Sequence, residues 1–235
     1  DIRYVKQLKF NTHLSFNRLY GETFIVYNPK FQELSFNESY TIQANGNRIE
    51  TPSNAFNEVL PQFAPNAPYY NHLREMVVTH TGLELGATVY LDYTIKTKAG
   101  YTEGFMANDV LQETSPVKDY TVSVEYPSSK SLIFNQYNMP EPSHSEKDGL
   151  IKITWNIKNI PAQSTESFQA YDNREAPRVA FTTLTGSELI NVLAKQITPA
   201  NSIIKSKVSD LIGNEKTKEK IADIISDYVV NSIST

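Results

Sequence analysis

The sequence predicts a mainly β protein: an antiparallel two-sheet β-sandwich over residues 1–183, followed by a short C-terminal α-helical segment over 184–235. Three observations carry this. Apolar and polar residues alternate with period two through most of the chain, as in strands with one dry and one wet face. The 14 Tyr and 11 Phe favour strands, because flat rings pack well on a pleated surface. Near Thr185 the apolar spacing changes to that of a helix.

Three stretches show the alternation outright. In "ATVYLDYTIKT" Val89, Leu91, Tyr93 and Ile95 share a face opposite Tyr90, Asp92, Thr94 and Lys96. In "DYTVSVEYP" Tyr120, Val122, Val124 and Tyr126 oppose Thr121, Ser123 and Glu125. In "LIKITWNIK" Ile151, Ile153, Trp155 and Ile157 oppose Lys152, Thr154, Asn156 and Lys158. Further strands are expected near 3–10, 22–28, 39–44, 47–51, 73–81, 109–115 and 164–170. Asn45-Gly46 predicts a tight hairpin, since both residues accept positive φ. Pro52, Pro61, Pro65 and Pro68 mark one long irregular connection, and Pro140, Pro142, Ser143 and Ser145 a second. Many short strands separated by turns point to two sheets closed over a shared core.

The helical segment reads as three pieces. "TGSELINVLAKQI" aligns Leu189, Ile190, Leu193 and Ile197, with Ser187 as the expected cap. "SIIKSKVSDLIG" aligns Ile204, Val208, Leu211 and Ile212, and Gly213 suits a stop. "EKTKEKIADIISDYVVNSIST" aligns Ile221, Ile224, Ile225, Tyr228 and Val229. Short helices are marginal alone, so each stripe requires a surface to cover it. Three helices covering one another, or lying on a sandwich, give thin cover, which predicts a partner.

At 235 residues the chain is long enough for one large β domain with an appendage. A net charge of −4 disfavours a nucleic-acid partner, which calls for a basic field over phosphates. The densest basic run, Lys216, Lys218 and Lys220, alternates with Glu215 and Glu219 and reads as a solvated helix face. The chain has no cysteine, so disulfides, thiolate metal sites and a Cys nucleophile are excluded from it together. No apolar run approaches the roughly 20 residues of a spanning helix. No signal peptide is visible, and the chain, which begins at Asp1 rather than Met, reads as an excised or processed piece.

No catalytic, cofactor or metal residue can be assigned. His13, His72, His80 and His144 have no metal-ligand spacing among them. His80 is expected to pack beside Met76 and Val78, and His144 to lie in a solvated loop. Serine-nucleophile motifs and Gly-rich phosphate loops are missing from the sequence. Asp109, Glu113 and Asp119 flank a predicted strand, and a carboxylate hydrolase would need two of them facing across a cleft. Asn37-Glu38-Ser39 matches the glycosylation triplet, a pattern that chance supplies often. The loop "TPSNAFNEVLPQFAPNAPYYNHLREM" concentrates Phe56, Phe63, Tyr69 and Tyr70 between prolines. Such rings either fold down as a lid on the core or dock sugars and peptides.

At "YNPKFQEL", "TPSNAFNEVLPQFAPNAPYYNHLREMVVTHTGLELGATVYLDYTIKT" and "SPVKDYTVSVEYP" the chain resembles a bacterial β-rich domain of unknown function that precedes transglutaminase-like domains in envelope proteins. The resemblance extends through "ITWNIKNIPA" and "YDNREAPRVAFTT", to about residue 183. It implies export to the periplasm or cell surface, from a precursor with a signal peptide. It also implies a papain-related core with Cys, His and Asp after this segment, and the last 21 residues, 215–235, resemble one of that core's opening helices. Residues 184–235 then read as the N-terminal stub of a transglutaminase-like domain. The expected function is a non-catalytic accessory module whose partner is that core, through protein or peptide contacts. The alternatives are a stand-alone carbohydrate-binding or adhesion sandwich, favoured by exposed, coplanar Tyr69 and Tyr70, and lastly the carboxylate hydrolase. Self-association through Ile224, Tyr228 or Val229 into a homodimer is also expected.

Overall fold

Alternating strands of this length must bury one face, and they do so in two compact units, Asp1–Glu103 and Gly104–Thr235, of a computed structural model that describes residues 1–163, 176–196 and 201–232. The protein is mainly β, with its longer helices at the C-terminal end. In place of one two-sheet sandwich over residues 1–183 there are four antiparallel sheets, two in each unit. The expected strand near 164–170 lies outside the described residues.

In the first unit, β1 (Ile2–Lys9), β7 (Thr88–Thr97), β3 (Gln32–Ile42) and β4 (Arg48–Glu50) form one sheet in that spatial order. The second sheet runs β2 (Glu22–Tyr27), β6 (Arg74–Thr79), β5 (Phe56–Val59). Ile25 and Val78 from the smaller sheet meet Leu91 and Ile95 from the larger, ringed by Leu34, Phe36, Phe56, Met76 and Tyr93. The inward face of β7 is therefore the one its alternation predicts. Each fully buried Leu, Ile or Val contributes roughly 1.5–3 kcal/mol before conformational entropy is subtracted. A one-residue register shift would turn this entire set to water. The β3–β4 hairpin is not a two-residue turn: Gly46 N donates to Gln43 O at 2.9 Å and Gln43 N to Asn47 O at 2.8 Å. Only Gly46 takes positive φ, 88°, as in longer loops built on a type I turn.

The second unit repeats the two-layer plan. β11 (Ser143–Lys147), β12 (Leu150–Ile160) and β9 (Val117–Pro127) form one sheet; β10 (Ile133–Tyr137), β13 (Arg178–Thr182) and β8 (Met106–Val110) form the other. Trp155 is fully buried among Leu111, Val124, Ile153, Ile160, Val179 and Phe181. Its indole stacks on Phe181 at 6.5 Å and meets Phe134 edge-on at 5.2 Å. Its Nε1–H donates to Gln136 Oε1 at 2.8 Å, so burial leaves no polar atom orphaned. The stretch around Ser143 and Ser145 is strand β11, not an irregular connection. It is joined to β12 by Asp148-Gly149, both at positive φ (53° and 75°), as a two-residue hairpin demands.

The short α1 (Arg18–Gly21) precedes β2 in the first unit, whereas α2 (Gly186–Gln196), α3 (Ser202–Ile212) and α4 (Lys218–Ser232) lie in the second. Thr185, not Ser187, caps α2: its Oγ1 accepts from Glu188 N at 3.4 Å, and Glu188 Oε2 accepts from Thr185 N at 2.8 Å, a reciprocal capping box. Asn201 caps α3 through Ile204 N at 2.9 Å, and Gly213 ends it at φ 52°.

A Cβ on Gly104 would stand 2.5 Å from Leu184 Cγ and Cδ2, whereas one on Gly186 meets nothing. Gly104→Ala is expected to cost about 1–3 kcal/mol through overpacking. Gly186→Ala is expected to be neutral or slightly stabilising. Thermal unfolding of the two variants beside the parent chain checks both.

Candidate functional site

The β5–β6 connection is built by proline. Pro61, Pro65 and Pro68 fix φ, and the chain winds through 3-10 turns at Ala64–Asn66 and Pro68–Tyr70. Backbone bonds brace it throughout: Ala64 N to Pro61 O, Ala67 N to Ala64 O, Tyr70 N to Ala67 O and Leu73 N to Tyr70 O, all 2.9–3.0 Å. His72 Nδ1 lies 2.8 Å from Tyr69 O. Arg74 Nη1 donates to Asn71 O and Leu73 O at 3.0 and 2.7 Å, fastening the loop's return to β6. Behind Arg74 stand Glu58, 3.9 Å from its Nε, and Tyr27, whose hydroxyl donates to Glu58. Burial, then that hydrogen bond, push the Tyr27 phenol up to about 12.

Of the four rings expected to act together, Phe56 belongs to the core, tilted on Phe36 at 4.6 Å. The other three are exposed, Tyr69 at 84%. Pro61 and Ala64 of the same loop are buried. The exposed rings are not coplanar: Tyr69 meets Tyr70 at 88°, and Tyr70 meets Phe63 at 86°, with both pairs of centroids 5.6 Å apart. They enclose corners rather than a flat shelf.

The other sequence candidates do not converge. Asp119 accepts from Asn156 Nδ2 at 2.6 Å and lies 3.8 Å from Lys158 Nζ, within the β9–β12 ladder. Asp109 is on β8, in the other sheet of that unit, and Glu113 follows β8. His144 is exposed, but on edge strand β11 rather than in a loop. Among the described residues no cluster of His, Asp and Glu could hold a metal. Asn37 spends its amide on Asp92 Oδ1 (2.8 Å) and Thr94 Oγ1 (3.0 Å), leaving the glycosylation triplet in a strand. His80 is buried, as expected, directly after β6, with Nε2 2.9 Å from Thr23 Oγ1. Burial first, and Lys6 second, lower it to about 4, with Glu22 opposing.

Sequence patterning missed one buried charge. Asp92 sits on the outer face of its sheet, yet only 2% of it is exposed. Arg3 covers it with a two-pronged contact through Nε (3.0 Å) and Nη2. Asn37 reaches it because β3 bulges between Phe36 and Glu38. The hydrogen bond from Arg3 holds the Asp92 carboxyl below its ordinary value against the opposing effect of burial. Nearby Tyr40 stacks on Tyr90 at 4.8 Å, with the Arg48 guanidinium 3.6 Å above Tyr40.

The helices keep apolar side chains in water. Ile221, Ile224, Ile225 and Tyr228 of α4 are half-covered, and Lys207 of α3 stands 4.7 Å over the Tyr228 ring. Ile190, Leu193, Ile203, Ile204, Val229 and Val230 remain exposed, Ile203 at 77%. Along α3, Ser202, Ile203, Ser206, Lys207 and Asp210 line an open groove. Ile197 of the expected α2 stripe lies outside the described residues.

A mainly β chain whose short sheets pair over two cores is the class defined so far. The chain belongs to the family described as Domain of Unknown Function with solved-structure structure (DUF3857), whose model matches residues 3–164. It is also similar to the 2.00 Å crystal structure of a "putative protease" from Parabacteroides distasonis ATCC 8503, with 41% identity and a TM-score of 0.88. That match covers 99% of this chain and 46% of the other, so this chain spans under half the length of its relative. No curated protein matches the chain.

The two shifted groups give separate acid limbs. Unfolded His80 binds its proton near 6.5 and folded His80 near 4, so between these values the unfolded chain holds more protons. Its contribution is complete above pH 6.5 and is lost as pH falls towards 4, on the order of 3 kcal/mol in all. Asp92, lowered from 3.8, retains its contribution above that value and loses it only at more acid pH. Denaturant melts from pH 7 to 4 should show the first limb, and His80→Gln should flatten it. Arg3→Ala should raise the midpoint of the lower limb.

Proposed function

We propose that this chain is a non-catalytic accessory module of a longer protease-like protein, docked through its C-terminal helices to the domain that follows. The observation that carries the reading is the match with the Parabacteroides chain: nearly all of this chain aligns, at 41% identity, with under half of a protein more than twice as long. The partner is taken to be a transglutaminase-like, papain-related core, as the sequence resemblance implies, in a protein exported to the periplasm or cell surface. Residues 184–235 are then the first helices of that core.

The helical surface supports this. Isolated helices of 11 to 15 residues are marginal in water, and α3 and α4 cover each other only in part. Burying a large aliphatic side chain contributes roughly 1.5–3 kcal/mol, so Ile190, Leu193, Ile203 and Val230 together offer a substantial gain to a partner surface. The rim is polar, with Lys207 and Asp210 beside Ile203, as in interfaces whose apolar centre is ringed by charge. The chain contributes no thiol to a papain-like reaction, since it has no cysteine. The two-layer packing within each β unit reads as a small sandwich.

Two measurements test this. Peptidase and acyl-transfer assays on the chain alone should show no turnover; activity that survives thiol reagents overturns the reading. The natural chain extending beyond Thr235 should encode a cysteine, then His and Asp, in a folded domain that protects α2–α4 amides from hydrogen exchange. Ile203→Asp with Val230→Asp should weaken binding of that domain, supplied separately, at least about tenfold, with the β core unaltered by near-UV circular dichroism. If sedimentation shows a homodimer through α4 that the separate domain does not displace, the surface belongs to self-association instead.

A further inference from the structure

We infer that the β5–β6 loop of the first unit is a binding site for a neutral saccharide. The fourteen residues from Leu60 to Leu73 contain no Asp, Glu, Lys or Arg, in a chain where 20% of residues are charged. Besides Leu60, Pro65, Pro68 and His72, its exposed side chains are the rings of Phe63, Tyr69 and Tyr70 and the amides of Gln62, Asn66 and Asn71. No side-chain hydrogen bond within the described residues occupies those three amides.

This pairing matches the two surfaces of a sugar ring. The C–H faces of a pyranose are apolar and lie against aromatic faces, while its hydroxyls give and take hydrogen bonds in pairs, as a planar amide does. The loop carries no carboxylate, lysine or arginine, and one nitrogen of His72 is held 2.8 Å from Tyr69 O, so the complement it favours is a ligand without ionic groups. The fold does not account for the rings. Tyr69 is 84% exposed and stands outside the cluster of Ile25, Val78, Leu91 and Ile95. Nor is the loop loose: the 3-10 turns and the Arg74 tether to Asn71 O and Leu73 O fix its backbone before any ligand arrives. Ordering costs are thereby reduced at binding, and Tyr, with two side-chain torsions, adds little more.

The perpendicular rings narrow the class. A flat crystalline polysaccharide needs coplanar rings, whereas 88° between Tyr69 and Tyr70 and 86° between Tyr70 and Phe63 make corners. A corner grips one or two sugar units of a flexible or terminal chain, one ring on the face and the next against the edge. The geometry points to short soluble oligosaccharides. This does not depend on what the helices bind.

The experiment titrates the full chain with neutral oligomers of α-glucose, β-glucose, mannose and N-acetylglucosamine, and with an octaproline peptide. Side-chain amide NMR signals of Gln62, Asn66 and Asn71 are followed. One sugar class should shift these signals, and Tyr69→Ala and Tyr70→Ala should each weaken that binding about tenfold or more. Tyr69→Ala should leave the melting temperature unchanged, since its side chain is solvent-exposed. Silence of every sugar at millimolar concentration overturns the proposal. So does sugar binding that survives both substitutions. Shifts with octaproline alone overturn the ligand class and make the loop a peptide site.

Discussion

A three-stranded sheet with one apolar face cannot hold that face in water, and its strands here are mostly too short to close on themselves as a barrel. Each such sheet persists because a second sheet covers it, and this mutual burial organises both units. In the first, Ile25 and Val78 have no dry surroundings unless Leu91 and Ile95 supply them. In the second, Trp155 is fully buried only because Phe181 and Val179 approach from the facing sheet. Loss of either layer exposes the other, so each pair of sheets is expected to unfold as one cooperative element. Register, twist and loop lengths follow from keeping the two dry faces together.

That constraint explains where polar groups are tolerated. Two polar groups at the cores are tolerated with a partner in reach: the Trp155 indole on Gln136, and His80 on Thr23. The outer faces are ordinarily free of this demand, and Asp92 is the exception. The guanidinium of Arg3, on edge strand β1, seals it, so a side chain on the wet face becomes an element of strand attachment. A buried carboxylate is costly without its cation, and the pair ties the edge strand to the sheet by a bond sensitive to geometry. Inward-facing Lys6, whose charge is felt at His80, works in the same direction: a cation at the rim discourages another strand from adding there.

The period-two signal made β7, β9 and β12 legible, because each carries four apolar residues in strict alternation; β9 and β12 pair them with one another, whereas β7 sets Leu91 and Val89 opposite Ser39 and Thr41 of β3. β11 was not legible by that signal: "SHSEK" has no apolar residue, lies at an edge and is exposed on both faces. Its turn was readable, since Asp148-Gly149 is the hairpin dipeptide, but weight given to the prolines before it hid the strand. Four sheets rather than two could not be read from alternation, which fixes which side of a strand is dry but not which strand covers it. The cap of α2 illustrates the same limit at short range. Ser187 and Thr185 are both capping residues, and only the reach of Glu188 back to Thr185 decides between them. For the loop rings, sequence showed that they cluster; their mutual angle, and Phe56's departure into the core, are properties of the folded chain.

What the two cores leave unused is unequal in kind, and this separates the surfaces. Exposed aliphatic residues on α2–α4 are flexible, spread along helices, and suited to a broad complementary protein surface. Exposed rings on the β5–β6 loop are rigid, few and interleaved with amides, suited to a small ligand with both C–H and O–H faces. A protein that needed only to fold would have little reason to hold Tyr69 in water on a backbone this firmly braced. The bracing is itself informative: a loop serving only as a connection gains nothing from the tether of Arg74 to two carbonyls, whereas a loop that must meet a ligand in one shape gains affinity from every torsion settled beforehand.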